Sequence, residues 1–448
     1  MAHTQENLGP SKAGQPGNIE KFIITSDYTD DLDISMGIVE LHYYESVLET
    51  TVRITAQVVD SSLRKASTQG KTGYEGSTEN DESAEAPGDD ATTVSGGEKV
   101  VVSFSDNQGG NVALENLRIQ ATRNQIDNSK ASVYILDVYS DEALRNSFEA
   151  TRLVKRYQGK ISDSVREILE NNLQSRNFLD IDQTLNELTF NGDTHKPFYK
   201  VVTLAKKSVP EGSQLGGTAG YFFFETAGDG EKTYKFKGVD NLMKAAPAAT
   251  LIAGDTPKAT IKQYEFISNT NVDEKVQNGA FSSSQMRTMN LSNEEYESND
   301  NSSSNVESAS EMGGTEHPKI ASDLDLPNQV TRISSVTPDN GVLPKGYGIE
   351  EQLERAKEVD FDVTQIERQA TQRYNQLFTY KLNVTILGNF NLRAGMTVEV
   401  DFPQGEWKTD ASNSSLKGGK YLIVDLCHML TTENTYTKLN LVRESLFK

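Results

Sequence analysis

The pair in this 448-residue chain that most suggests a nucleophile with its base is Cys427-His428, and Cys427 is the chain's one cysteine. The residues around it alternate as in a strand, where neighbours project to opposite faces, so thiol and imidazole are not expected to meet. The pair reads instead as a buried strand cysteine beside a rim histidine. Asp425 shares the cysteine's face but forms no recognised dyad with a thiol. The other histidines (His3, His42, His195, His317) are scattered, and none falls in HExxH or a similar ligand spacing. Gly216-Gly217-Thr218-Ala219-Gly220 lacks the Gly-Lys-Ser/Thr that completes a phosphate cradle, and it precedes aromatics, so it reads as a lead-in to a strand. Asp27, Asp30, Asp31 and Asp33 miss the order of a calcium loop and its closing glutamate, and read as a solvated turn. With 65 acids, carboxylate pairs suited to glycoside hydrolysis arise by chance everywhere, and none stands out. No catalytic residue, cofactor or metal ion is expected.

Composition narrows the class further. Sixty-five acids against 44 bases give a net charge of −21, the wrong sign for gripping phosphates. It suits a conduit through which DNA slides without specific binding. A hydrophobic share of 35% implies sizeable solvated segments. One cysteine excludes an intrachain disulfide and a zinc ribbon. No apolar run approaches the roughly 20 residues that span a bilayer. The opening MAHTQENLGPSKAGQPGN lacks the hydrophobic stretch of a secretory signal, so a cytoplasmically made chain without a membrane segment is expected.

The elements read most clearly near the carboxyl end. Leu382, Val384 and Ile386 alternate with Asn383 and Thr385, and Val398, Val400 and Phe402 alternate with Thr397, Glu399 and Asp401. Gly388 and Gly395 bracket a tight loop that calls for positive φ at its ends. Leu422, Val424 and Leu426 repeat the alternation, and Thr437 to Val442 supplies a last strand. Earlier, Val52, Ile54, Ala56 and Val58 predict a half-buried strand ending at Asp60, with further strands at Lys99–Phe104 and Val133–Tyr139. Leu144 with Phe148, then Ile161, Val165, Ile168 and Leu169, then Pro197 with Val201 and Ala205, predict three helices. Tyr221–Glu225 and Thr233–Phe236 predict a hairpin, its aromatic run covered on both faces. Ile349–Val359 and Val363–Leu377 read as helices, the second with Ile366, Ala370, Tyr374 and Leu377 on one face and capping-box spacing at Asp362 and Gln365.

The strand-loop-strand Val384-Thr385-Ile386-Leu387-Gly388-Asn389-Phe390-Asn391-Leu392-Arg393-Ala394-Gly395, followed by the closing strands Tyr421 to Arg443, resembles the baseplate central hub protein of contractile-tailed bacteriophages, a relative of the spike-hub proteins of contractile injection systems. The resemblance implies a β-dominated α+β chain with two tube-type antiparallel β-barrel domains and smaller α/β domains, arranged as a trimeric ring. It implies a place in the virion tail baseplate, with the tail tube protein above, the central spike protein below, and baseplate wedge proteins as further contacts. Gly388, Asn389, Phe390, Leu392 and Gly395 become the structural barrel loop. Glu399, Asp401 and Asp425, on polar strand faces, become candidate lumen-lining acids that repel DNA, against the plainer reading of ordinary solvated surface.

Domain boundaries follow from the same reading: a flexible arm at 1–18, a first barrel at 19–136 with an acidic insertion at about 61–98, and a helical α/β domain at 137–217. A second barrel combines 218–267 with 375–448, and 268–374 is a polar insertion with a helical domain. Two other function classes stay open here. A β-rich receptor- or carbohydrate-binding tail protein would use Trp407 and the loop Thr409 to Lys417. A cell-wall hydrolase would depend on one carboxylate.

Overall fold

A computed structural model describes residues 17–25, 31–60, 94, 96–127, 132–211, 218–228, 230–254, 260–268, 271–278, 284–290, 295–300, 332–336, 363–402 and 417–445. Asp27, Asp30, Gly216, Gly217, His3, His317, Ile349–Val359, Asp362, Trp407 and most of the first acidic insertion lie outside the described residues.

The N-terminal strands are β1 (Asn18–Thr25), β2 (Leu32–Asp33), β3 (Ile38–Ser46), β4 (Arg53–Asp60), β5 (Lys99–Ser105), β6 (Asn111–Asp127) and β7 (Ser132–Ser140). Next come α1 (Asp141–Arg145), β8 (Arg156–Tyr157), α2 (Ile161–Glu167), β9 (Phe178–Ile181), β10 (Phe190–Asn191) and α3 (Pro197–Ala205). The hairpin β11 (Tyr221–Thr226) and β12 (Thr233–Gly238) leads to α4 (Val239–Lys244), β13 (Ala249–Ile252) and β14 (Ile261–Ser268). Then follow α5 (Val272–Asn278), β15 (Ser284–Asn290), β16 (Glu295–Asp300), β17 (Arg332–Val336) and α6 (Val363–Leu377). The chain closes with β18 (Tyr380–Leu387), β19 (Thr397–Asp401), β20 (Gly419–Thr431) and β21 (Thr435–Arg443).

The molecule is β-dominated and built on one large, mostly antiparallel sheet. Its path runs β14-β18-β21-β20-β3-β4-β7-β6-β5-β1-β2, with β19 beside β20 and β13 parallel to β19. The join between the early and late strands is the antiparallel pairing of β20 with β3, from Asp425 opposite Ser46 to Thr431 opposite Glu40. One core lies under both blocks. Phe22, Leu41, Ile54 and Phe104 from the first pack with Leu382, Val384, Phe390 and Ile423 from the second. Alternation dictates this, because each strand offers every second side chain to the same side.

Helix α2, the π-helical turn that follows it (Ile168–Asn172) and α3 carry the predicted apolar residues into a second core of Ile161, Val165, Ile168, Leu169, Val201 and Ala205. The aromatic strand β11 lies between layers, with Tyr221 and Phe223 in that core and Phe222 and Phe224 in a third. The hairpin β11–β12 pairs with β9 of the helical region, not with the long sheet that the expected second barrel would require of it. In α6, Ile366, Ala370 and Leu377 are buried as expected.

Three local readings are corrected. Leu144 and Phe148 are exposed, because α1 stops at Arg145: Phe148 N bonds back to Arg145 O at 3.0 Å, and the Thr151 hydroxyl donates to the same carbonyl at 2.9 Å. Leu426 does not continue the face of Leu422 and Val424, because a bulge between Ile423 and Asp425 reverses the side-chain sense of β20. The polar tract after residue 268 contains the three-stranded sheet β16-β15-β17, which lacks the apolar alternation that marks strands in a sequence.

Candidate functional site: a loop held between the strand blocks

The loop Gly388–Gly395, between β18 and β19, is fixed by backbone groups reaching across the whole chain. Gly388 N donates to Thr435 O at 3.0 Å, and Gly395 N donates to Ile423 O at 2.9 Å. Asn389 N donates to Thr437 Oγ1 at 3.0 Å, and Phe390 N donates to Asp106 Oδ2 at 2.6 Å. Asp106 belongs to the β5–β6 turn, and its other oxygen accepts from Gln108 N and Gly110 N at 2.8 and 2.7 Å. The Phe390 ring is fully buried, edge-on to Phe104 at 5.5 Å and tilted against His428 at 4.5 Å. Leu392 is buried in the same core. The five loop residues picked from the sequence therefore sit together at the seam of the two blocks.

The two glycines serve different ends. Gly395 has φ +80°, and a Cβ there would lie 2.5 Å from Phe224 Cζ. Gly388 lacks the positive φ expected of it; what it needs is space, since a Cβ would meet Thr435 Oγ1 at 2.5 Å. Gly395→Ala combines left-handed backbone strain with a ring clash, and a stability loss of about 2 kcal/mol is expected. Urea unfolding measures it; a change within error would mean that Phe224 has room to withdraw.

Two charged residues that the sequence reading missed complete the joint. Glu45 on β3 is buried, and Oε1 accepts from the Tyr43 hydroxyl at 2.6 Å and Ala227 N at 2.8 Å, while Oε2 accepts from Ala394 N at 2.7 Å. Arg393 Nε stands 3.8 Å from the same carboxylate. Its guanidinium donates to Phe390 O, to Leu392 O at 2.9 Å, and to Gly228 O and Asn111 O at 3.3 Å. Burial, with the Arg393 charge nearby, holds the His428 imidazole well below its usual range, so it is neutral. It bridges Thr437 Oγ1 at 2.9 Å and Leu392 O at 3.3 Å. Every strong acceptor here is already engaged by the chain's own donors, so the arrangement positions a loop and leaves no free base.

The cysteine-histidine reading is reversed in burial. His428 is fully buried, whereas Cys427 is half-buried on the open polar face, opposite Tyr44. The bulge in β20 sets this sense. Burial pushes the thiol up to about 11, away from nucleophilic use. On that face Glu40 meets His42 at 2.7 Å, His42 meets the Tyr44 hydroxyl at 3.1 Å, and Arg53 lies over the Tyr44 ring at 4.4 Å.

Glu399, Asp401 and Asp425 all lie on the side of the sheet away from the shared core, but not as one group. Glu399 is half-buried opposite Lys420, and Asp401 is exposed opposite Ile252. Asp425 lies five residues beyond Lys420, roughly 16 Å along the strand. It accepts from Ser46 Oγ at 2.5 Å and Asn440 Nδ2 at 2.9 Å. Among the described residues, no group of three or more His, Cys, Asp or Glu side chains is placed to hold a metal ion, and no helix is long and apolar enough to cross a membrane.

No protein-family model and no curated protein matches the sequence. Solved structures match its fold. The fold is similar to that of the tail protein from Neisseria meningitidis MC58, at TM-score 0.51 and 10% identity over 96% of this chain and 98% of that one. The likeness is one of fold. Weaker likenesses include the 43 kDa tail protein of prophage MuSo2 from Shewanella oneidensis (TM-score 0.49, 10% identity, 95% and 98% covered). Another is a type VI secretion system component from E. coli (TM-score 0.45, 10% identity, 95% and 77% covered).

Proposed function

We propose that the chain is a structural, non-catalytic hub of a contractile tail baseplate. Three copies close into a ring that joins the six-fold tail tube to the three-fold central spike, and DNA passes through the hole without specific binding. The observation that carries this reading is the single sheet that seams an early and a late strand block together, in a chain with a tail-protein fold. Its two terminal strands support the ring. Among the described residues β14 pairs only with β18, and β2 only with β1, so both ends of the sheet offer backbone groups to a neighbouring chain. Tyr264 and Ile267 on β14 are also exposed, which makes that edge adhesive. In this reading 19–136 forms one barrel domain, and the strands of 249–267 with 375–448 form the other, the hairpin 221–238 belonging to the helical region. The polar faces that carry Glu399, Asp401 and Asp425 line the passage, where a net charge of −21 per copy repels phosphate.

The mass in solution tests the ring, alone and mixed with the tube and spike proteins of the same tail. A species near three times the 49.4 kDa chain mass, binding both partners, is expected. A chain that stays single at every concentration and ignores both would overturn the reading.

A further inference from the structure

Six of the fourteen large exposed apolar side chains among the described residues belong to the helical region 141–211, and four of them lie on α3 or in the segment 146–154 that is hydrogen-bonded to its start. Tyr199 and Val202, one turn apart on the outer face of α3, are 59% and 40% exposed. The preceding loop is tied to the start of that helix. Phe198 N donates to Asn146 Oδ1 at 3.0 Å, Leu153 N to His195 O at 3.1 Å, and Thr194 N to Leu153 O at 2.9 Å. Phe148 and Val154, 53% and 81% exposed, lie within two residues of these bonds, and the His195 ring stacks on Tyr199 at 4.9 Å. A soluble surface rarely leaves so many large apolar groups together without a partner.

Charge names the partner. Residues 141–211 hold eleven acids and eleven bases, so the whole net charge of −21 lies elsewhere in the chain. Two copies of such a chain repel each other over most of their surface and least where this neutral region faces the neighbour. Lys196 and Lys206, both exposed, flank α3 and make no ion pair among the described residues, and the exposed acids beside them are Asp193 and Glu149, the latter paired with Arg152. We infer that this patch is a contact between copies of the chain, with Phe148, Val154, Tyr199 and Val202 at its apolar centre and the two lysines facing acidic surface of the next copy. The contact is heterologous, since neutral surface on one copy meets acidic surface on the other, and a heterologous contact closes into a ring when its rotation permits. The inference rests on the ring reading, and it names which part of the helical region holds the ring together.

Equilibrium sedimentation of the full chain tests it, at low and moderate salt. Val154→Glu, Tyr199→Glu and the pair Lys196→Glu with Lys206→Glu are each expected to raise the concentration needed for assembly at least about tenfold. Leu48→Glu, at another exposed apolar site between the interior strands β3 and β4, is the control and leaves assembly unchanged. Unaltered circular dichroism shows that each variant folds. Variants that assemble like the control would overturn the patch contact while leaving the ring standing. A wild type that never assembles would overturn both, and variants that assemble normally but lose a different protein would show that the patch serves that protein instead.

Discussion

Glu45→Ala lowers the free energy of unfolding by about 3–5 kcal/mol, the range for breaking a buried charged pair by removing one partner. The carboxylate accepts from both Ala394 N and Ala227 N, and it takes the Tyr43 hydroxyl as well. Each buried donor left without an acceptor costs about 1–3 kcal/mol, and Arg393 loses its nearest carboxylate. The three donors lie on β3, on the loop after β11 and on the loop before β19, so the loss is shared by segments up to 349 residues apart. Urea unfolding followed by circular dichroism measures it, with Asp401→Ala as an exposed comparison expected to change stability by no more than about 0.5 kcal/mol. If Glu45→Ala behaved like Asp401→Ala, water or repacking would be supplying the acceptors, and the joint would not depend on this residue.

Glu45 also marks where sequence reading stopped. Strand periodicity exposed Leu382, Val384, Ile386, Val398 and Val400 as core, and all five are buried in one cluster. The stripes of α2 and α3 and the hairpin β11–β12 were legible for the same reason: a local repeat of 2.0 or 3.6 residues reports a buried face. The loop glycines were legible because small residues at fixed spacing imply a turn. The side chains that hold the loop were not. Asp106 binds Phe390 N across 284 residues and Glu45 binds Ala394 N across 349, and no local pattern encodes such a pairing. A glutamate in β3 reads as one more polar residue of an alternating strand. Tyr43 before it gives no signal either, although its hydroxyl fixes the carboxylate. The reversal at Cys427 and His428 has a related cause, since one extra residue in β20 exchanges the two faces and alternation cannot reveal where a bulge falls.

A second buried carboxylate ties the helical region to the sheet, and its stability effect depends on pH. Glu225 accepts from Val52 N at 2.9 Å, Ser140 Oγ at 2.5 Å and Asn177 Nδ2 at 2.6 Å. Lys232 Nζ stands 3.5 Å from Glu225 and 3.4 Å from Glu142, and donates to Asn116 O at 3.0 Å. One cation thus serves two buried acids. Burial raises the Glu225 carboxyl above its ordinary range; the lysine opposes that shift and Glu142 adds to it. Lys232→Met removes the opposing charge, so the carboxyl rises further and a cost of about 3–5 kcal/mol is expected at pH 8. Below the raised folded value the native state holds a proton that the unfolded chain releases near pH 4.5, so native stability falls as pH rises through that window. The deficit of Lys232→Met is therefore largest in mild alkali and shrinks as pH falls towards about 4.5. Adding Glu225→Gln to the variant removes the titrating group and restores part of the loss at pH 8. Urea midpoints at pH 5 and pH 8 decide the matter. A deficit equal at both values, or a double variant no more stable than Lys232→Met, would show that the lysine acts through packing of its stem and not through its charge.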